Sequence, residues 1–192
     1  ELYAGQNTIL DYSRLQEDGA ETMNIGTANL SSQRDASLRG AFVSDGGKLA
    51  RLDLIADREG EGGEIYCNGM YVADGKQFID FHTWFNHRVE NCYSRQRFKG
   101  MLQGRSETIF DGLVKVFEGA QKTDAVQENR NLILGKRALA HSNPRLEIYA
   151  DDVKCTHGST VGELDEEALF YLRTRGISAD GATGMLTLAC AG

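Results

Sequence analysis

The chain has 192 residues, with 21 Lys and Arg against 28 Asp and Glu, so its formal charge is −7. Apolar residues make up 41% and charged residues 26%, which excludes disorder throughout and fits one folded domain. The negative balance and the 8% aromatic content argue against a nucleic-acid surface, and no run of about 18 apolar residues offers a membrane-spanning helix.

At the start, Glu1-Leu2-Tyr3 shows neither the basic stretch nor the apolar run of a signal peptide. It also lacks an initiator Met, so a fragment or a processed form is expected. Short apolar segments then recur as far as Val153: Thr8-Ile9-Leu10, Leu38 to Val43, Leu49 to Ile55 and Leu113 to Phe117. Several alternate apolar with polar, the period of a strand. Turn signals separate them at Asp45-Gly46-Gly47, Gly60 to Gly63, Asn68-Gly69, Asp74-Gly75 and Asp111-Gly112. With 22 Gly and a single Pro, Pro144, the bends are made by Gly, Asn and Asp. The first 160 residues therefore read as many strands of three to six residues. A β-sandwich and a β-solenoid both fit, and no strict repeat chooses between them.

After Gly162 the period changes. Asp165 is a good N-cap, Glu166 and Glu167 fill a first turn, Arg173 and Arg175 a last turn, and Gly176 is placed to stop the helix in the left-handed conformation. Leu164, Ala168, Leu169 and Leu172 mark its apolar face. Ser178 caps a second segment with Ala182, Met185, Leu186 and Ala189 expected inward, running to Gly192 without a terminator. The chain is expected to end inside a helical hairpin.

The charge is uneven. Glu147 to Asp180 is strongly acidic, whereas Asn86 to Arg105 is basic, with Arg88, Arg95, Arg97, Lys99 and Arg105 against Glu90. Solvated surface is the ordinary explanation, and a pair of partner-facing patches is the alternative. Four cysteines, Cys67, Cys92, Cys155 and Cys190, form no CxxC pair, which excludes a zinc ribbon or a local redox motif. Free thiols in a reducing cytoplasm are expected. Cys67 reads as a strand-end core thiol and Cys190 as helix core.

Cys155 and His157 stand two apart, which on a strand puts both side chains on one face. A thiolate with an imidazole suits iron, zinc or a bound cluster, but two ligands do not close a site. A half-buried structural pair is the other explanation. His82, His87 and Cys92 have no recognised ligand spacing and are expected to pack turns, and His141 is expected in a surface loop. Asp151 and Asp152, adjacent on one strand, would face opposite ways and make a poor acid–base pair, so a turn is expected there. Gly158-Ser159-Thr160 reads as a turn, with no base beside Ser159. No Walker-type phosphate loop is present, so the chain is not an ATPase.

Two stretches carry a specific resemblance. One is Leu146-Glu-Ile-Tyr-Ala-Asp-Asp-Val-Lys-Cys-Thr-His-Gly-Ser-Thr-Val-Gly-Glu-Leu-Asp-Glu-Glu-Ala-Leu-Phe-Tyr-Leu-Arg-Thr-Arg-Gly-Ile177. The other is Phe110-Asp-Gly-Leu-Val-Lys-Val116 followed by Ala120-Gln-Lys-Thr-Asp-Ala-Val-Gln-Glu-Asn-Arg-Asn-Leu132. Both closely resemble the SufB/SufD family, the scaffold proteins of SUF iron–sulfur cluster assembly. Weaker matches at Asp80-Phe-His-Thr83, His87 and Ser94-Arg-Gln96 extend the similarity along essentially the whole chain. Within the family, Val153-Lys-Cys-Thr-His-Gly158 looks like SufD. A SufB-like chain would carry a His-Glu-Ala type segment here, and a Cys after Phe-Tyr where this chain has Leu172.

The resemblance implies a mainly β protein. A right-handed parallel β-helix would span 1–162, and the start of a C-terminal helical domain 163–192, with the family's N-terminal helical domain absent. It implies a cytoplasmic, non-enzymatic scaffold that pairs with a SufB-type subunit and binds a SufC-type ATPase through the C-terminal helical region. For the chain alone a homodimer is one arrangement left open, and the sequence does not choose the oligomeric state. It implies that His157, with Cys155 as a second contributor, lies near the SufB interface and ligates iron or a nascent iron–sulfur cluster shared with SufB, with no cofactor stably bound. The alternative is a carbohydrate-active parallel β-helix enzyme, which the solenoid would permit and no motif supports.

Overall fold

The computed structural model describes residues 1–191, so Gly192, where the second helical segment was expected to run, lies outside the described residues. Twelve strands come first: β1 (Leu2–Ala4), β2 (Ile9–Asp18), β3 (Met23–Ser32), β4 (Ser37–Gly46), β5 (Leu49–Arg58), β6 (Glu64–Ala73), β7 (Phe78–His87), β8 (Tyr93–Leu102), β9 (Glu107–Val116), β10 (Asp124–Ile133), β11 (Leu139–Ile148) and β12 (Lys154–Glu163). Two helices follow, α1 (Glu166–Thr174) and α2 (Ala179–Ala191). Odd strands form one six-stranded sheet, β1-β3-β5-β7-β9-β11, and even strands a second, β12-β10-β8-β6-β4-β2. All pairings are parallel, so the chain alternates between the sheets and advances one strand spacing per turn: a parallel β-solenoid of about six turns. The sandwich alternative is thereby excluded.

The strands are ten residues long apart from β1, not the three to six expected. The reason lies in what faces inward. On β8 the buried positions are Ser94, Gln96, Phe98, Gly100 and Leu102, joined by Met101. A reading keyed to apolar residues sees only fragments of such a strand.

Register stacks like positions. Leu49 lies beside Phe78 and Phe78 beside Glu107, a step of 29 residues each time. Phe42, Phe81, Phe85, Phe98 and Phe110 fill the interior. The Phe81–Phe98 and Phe98–Phe110 ring centroids are 5.6 and 5.2 Å apart in tilted geometry, each pair contributing about 1 kcal/mol beyond area burial. Gly69 sits in this stack because a Cβ there would enter the Phe98 ring.

At one corner of each of five turns a residue adopts the left-handed conformation: Asn7, Asp35, Gly62, Asn91 and Lys122, with φ between 54° and 69°. Asn, Asp and Gly tolerate this region best. The corners are tied rung to rung, Asn7 N–H donating to Arg34 O at 3.0 Å, Asp35 N–H to Glu61 O at 2.9 Å and Asn91 N–H to Gln121 O at 2.9 Å. Arg58, fully buried, braces the same corner by donating to Ser32 Oγ at 2.8 Å, Gly60 O at 2.6 Å and Ala36 O at 3.4 Å.

The helical segment matches its signals. The Asp165 carboxylate accepts from Glu167 N and Ala168 N, and Gly176 takes φ 87° with its N–H on Arg173 O. Ser178 Oγ accepts from Gly181 N at 3.1 Å at the start of α2. The inward face of α2 is smaller than expected: Ala182 is buried, whereas Met185 and Ala189 are exposed. Cys190 is also exposed, contrary to the helix-core expectation.

Candidate functional site

Among the described residues, the last turn of the solenoid has no rung beyond it. β12 pairs only with β10 and closes its sheet as an edge, and β11 closes the other. Cys155 and His157 occupy β12 in register with Ala125 and Gln127, both fully buried. They therefore stand on the inward face of the terminal strand, at the open mouth of the coil.

Position sets their exposure. In the column Cys67–Gln96–Gln127–His157 the first three side chains are fully buried and His157 is exposed, because no described strand pairs beyond β12. Cys155 is half-buried against the core, and burial pushes its thiol above the usual range. A backbone hydrogen bond at Ala125 opposes that shift, and the Asp124 charge adds to it. Alone, the thiol stays protonated at neutral pH, and a soft cation would have to displace its proton on binding. Among the described residues no group of three or more His, Cys, Asp and Glu side chains is placed to hold a metal ion. Ser159 and Val161 continue the exposed inward row of β12, Val161 at 52% exposure.

Beneath the mouth lies a polar interior that sequence reasoning missed. Thr83 Oγ1 donates to Gln96 Oε1 at 2.8 Å, and Gln127 Nε2 donates to the same oxygen at 3.3 Å. Asn129 donates to Tyr71 Oη at 2.9 Å, Tyr71 Oη to Asn131 at 2.7 Å, and Asn131 back to Asn129 at 2.7 Å. Gln96 Nε2 and Gln127 Oε1 are buried without a protein partner. A signal was present: in Gln127-Glu128-Asn129-Arg130-Asn131 the amides alternate with charges, which places the amides inward once the charges face water.

The other candidates separate. His82 and His87 have opposite parity on β7. His82 lies on the outer face, its Nε2 2.8 Å from Asp80 Oδ1 and its ring stacked on Trp84. His87 is inside, with Nε2 2.9 Å from Ser94 Oγ. Cys92 is buried in the following turn near the Gly60 and Glu90 carbonyls, so the three form no common site. His141 is on strand β11 rather than in a loop, with Nε2 3.2 Å from Glu107. Pro144 is accommodated in β11 because that strand is an edge. Asp151 and Asp152 are exposed turn residues, Asp152 N–H donating to Gln121 Oε1 at 2.9 Å, and so make no paired-carboxylate centre. Gly158, Ser159 and Thr160 are strand, not turn, held in register with Glu128, Asn129 and Arg130. Cys67 is mid-strand and fully buried, which pushes its thiol far up and leaves it inert.

No helix among the described residues is long and apolar enough to cross a membrane. Residues 1–190 match the family model described as SUF system FeS cluster assembly, SufBD core domain. The iron–sulfur cluster assembly protein SufD of Escherichia coli is 40% identical over 185 residues, covering 96% of this chain and 44% of that protein. An iron–sulfur cluster assembly SufBD family protein of Synechocystis is 32% identical over 192 residues, covering 100% of this chain and 42% of the relative. SufD of Bacillus subtilis is 28% identical over 185 residues, covering 95% and 42%. The chain thus spans less than half the length of these curated relatives.

Proposed function

The chain belongs to the SufBD core family of SUF iron–sulfur cluster assembly, and we propose that it works there as a SufD-type, non-enzymatic scaffold that pairs with a SufB-type subunit at the open mouth of its solenoid. The observation that carries this reading is β12: a sheet edge whose inward row, Cys155, His157, Ser159 and Val161, is uncovered. An edge strand presents unpaired N–H and C=O groups, and addition of a partner strand satisfies them. Such a partner would enclose Cys155 and His157 between two chains.

A scaffold must hold its cargo loosely enough to release it. Two ligands from this chain, completed by the partner, meet that need, since opening the interface removes half the ligand set. Imidazole is neutral and lowers the negative charge of a cluster relative to thiolate. Iron or a forming cluster is here the substrate, shared between subunits. We place contact with a SufC-type ATPase on α1 and α2, where Phe170 is 69% and Leu188 74% exposed.

The test uses the full-length protein with its SufB- and SufC-type partners. Val161→Arg is expected to abolish pairing with the SufB-type subunit in gel filtration while the circular dichroism stays unchanged. His157→Ala should keep folding, pairing and SufC binding but slow cluster formation, followed by visible absorbance after iron and sulfide addition. Normal pairing of the first variant sinks the interface; a normal assembly rate of the second sinks the ligand role.

A further inference from the structure

Inside the coil, glutamines on successive rungs of the even-strand sheet form a directed ladder. Gln96 of β8 and Gln127 of β10 lie side by side in register, and both are fully buried. Gln127 Nε2 donates to Gln96 Oε1 at 3.3 Å, beside the Thr83 Oγ1 bond to the same oxygen at 2.8 Å. Gln96 thus offers its oxygen to the rung that follows it. Gln127 Oε1 is the corresponding oxygen one rung on, and it is buried without a partner. The residue in register on the rung that follows Gln127 is His157. An imidazole N–H there would take the place that Gln127 Nε2 holds one step earlier.

The neighbours leave this acceptor to His157. On the facing sheet the amide lies over Gly112, where a Cβ would collide with Gln127 Nε2, so that residue offers no side chain. Pro144, beside Gly112 on the last odd strand, has no N–H. Cys155 and Ser159 flank His157 on β12 but are diagonal to Gln127 rather than opposite it. The His157 side chain is exposed, so its ring has room to turn toward the rung beneath. A neutral imidazole has one N–H and one lone pair, and committing the N–H inward leaves the lone pair directed away from the ladder.

We propose that Gln127 is a positioning residue for His157: its Oε1 accepts the imidazole N–H when a partner covers the mouth, and so presents the other ring nitrogen to iron or a forming cluster. The inference rests on the ligand role of His157 proposed above and adds what holds that ligand in place. A histidine that binds a metal ordinarily gives the proton of its second nitrogen to a carbonyl or carboxylate, which fixes the ring and raises its basicity. Gln127 supplies such an oxygen from a fully buried position, whereas His157 itself stands on an uncovered edge. An amide oxygen is uncharged, so it orients the ring without adding to the negative charge of the cargo.

The test uses the full-length protein in complex with its SufB- and SufC-type partners. Gln127→Met keeps the length of the side chain and removes the acceptor. It should leave circular dichroism and pairing unchanged and slow cluster formation about tenfold. It should also raise the reduction potential of the assembled cluster, read by redox titration of its visible absorbance, because a less basic ligand stabilises the oxidised form less. In the His157→Ala background the same change should slow assembly no further. Gln127→Glu, whose carboxylate the unpartnered Gln96 Nε2 can turn to meet, should lower the potential, and it decides the matter if Gln127→Met does not fold. Overturning results are a normal rate and potential in the paired Gln127→Met complex, an unshifted potential in Gln127→Glu, or the same slowing by Gln127→Met with and without His157; each leaves the ligand role standing. A normal rate in His157→Ala overturns both.

Discussion

Acidification should weaken this protein through one residue, His87. Its ring is buried between Arg58 of β5 and the apolar Val116 of β9, with Ser94 Oγ at 2.9 Å across the corner. Desolvation, and secondarily the Arg58 charge, pushes its pKa down to about 4. In the unfolded chain the ordinary value of about 6.5 applies, so unfolding takes up a proton between these values. The contribution to stability is therefore complete above about pH 6.5 and is lost as pH falls toward 4. The full loss is about 3 kcal/mol, and about 2 kcal/mol falls between pH 7 and pH 5. That is a large part of the roughly 5–15 kcal/mol typical of a folded domain. His87→Gln keeps a group able to bond Ser94 and removes the titration. Urea unfolding of both proteins at pH 7, 6 and 5 isolates the effect, because the carboxylates are common to both. The wild-type protein should lose about 2 kcal/mol more than the variant over this span. Parallel pH dependences in the two proteins would refute the reasoning.

Gly69→Ala should destabilise by about 1–3 kcal/mol, since its methyl group overpacks the Phe98 ring; thermal unfolding measures it. Asp165→Ala removes the cap of α1 at a cost of about 1 kcal/mol, seen as faster amide exchange at Glu167 and Ala168 with little change in the solenoid. Tyr71→Phe leaves the Asn129 and Asn131 amides short of a partner deep inside the coil, and should lower stability by about 1–3 kcal/mol in the same urea assay.

The helical end was readable because its signals are local: Asp165, Glu166, Glu167 and Gly176 each do at the terminus what their chemistry favours. The turns at Asn68-Gly69 and Asp111-Gly112 were misleading for a related reason. Both lie within ten-residue strands, where Gly69 answers to Phe98 one rung away and Gly112 to the side chain of Gln127. A glycine demanded by a neighbour 29 residues along looks the same in sequence as one demanded by a bend. Gly158-Ser159-Thr160 failed in the same way. The placement of Cys155 and His157 on one face followed from spacing, and their edge position from standing at the end of the strand run, just before the helical segment. Arg58 gave no signal, because its partners are carbonyls and a hydroxyl supplied by a corner that exists only once three rungs are assembled.

The column of left-handed corners has a consequence for length. Because each turn repeats the same corner hydrogen bonds and the same inward parity, residues enter or leave this fold without damage only as a complete circuit. Each circuit adds one strand spacing, about 4.8 Å, along the axis. The two ends of the coil are thus held apart in steps, not continuously, and whatever docks at the β12 end is kept at a set distance from whatever lies at the β1 end. The solenoid is a ruler whose graduations are its rungs.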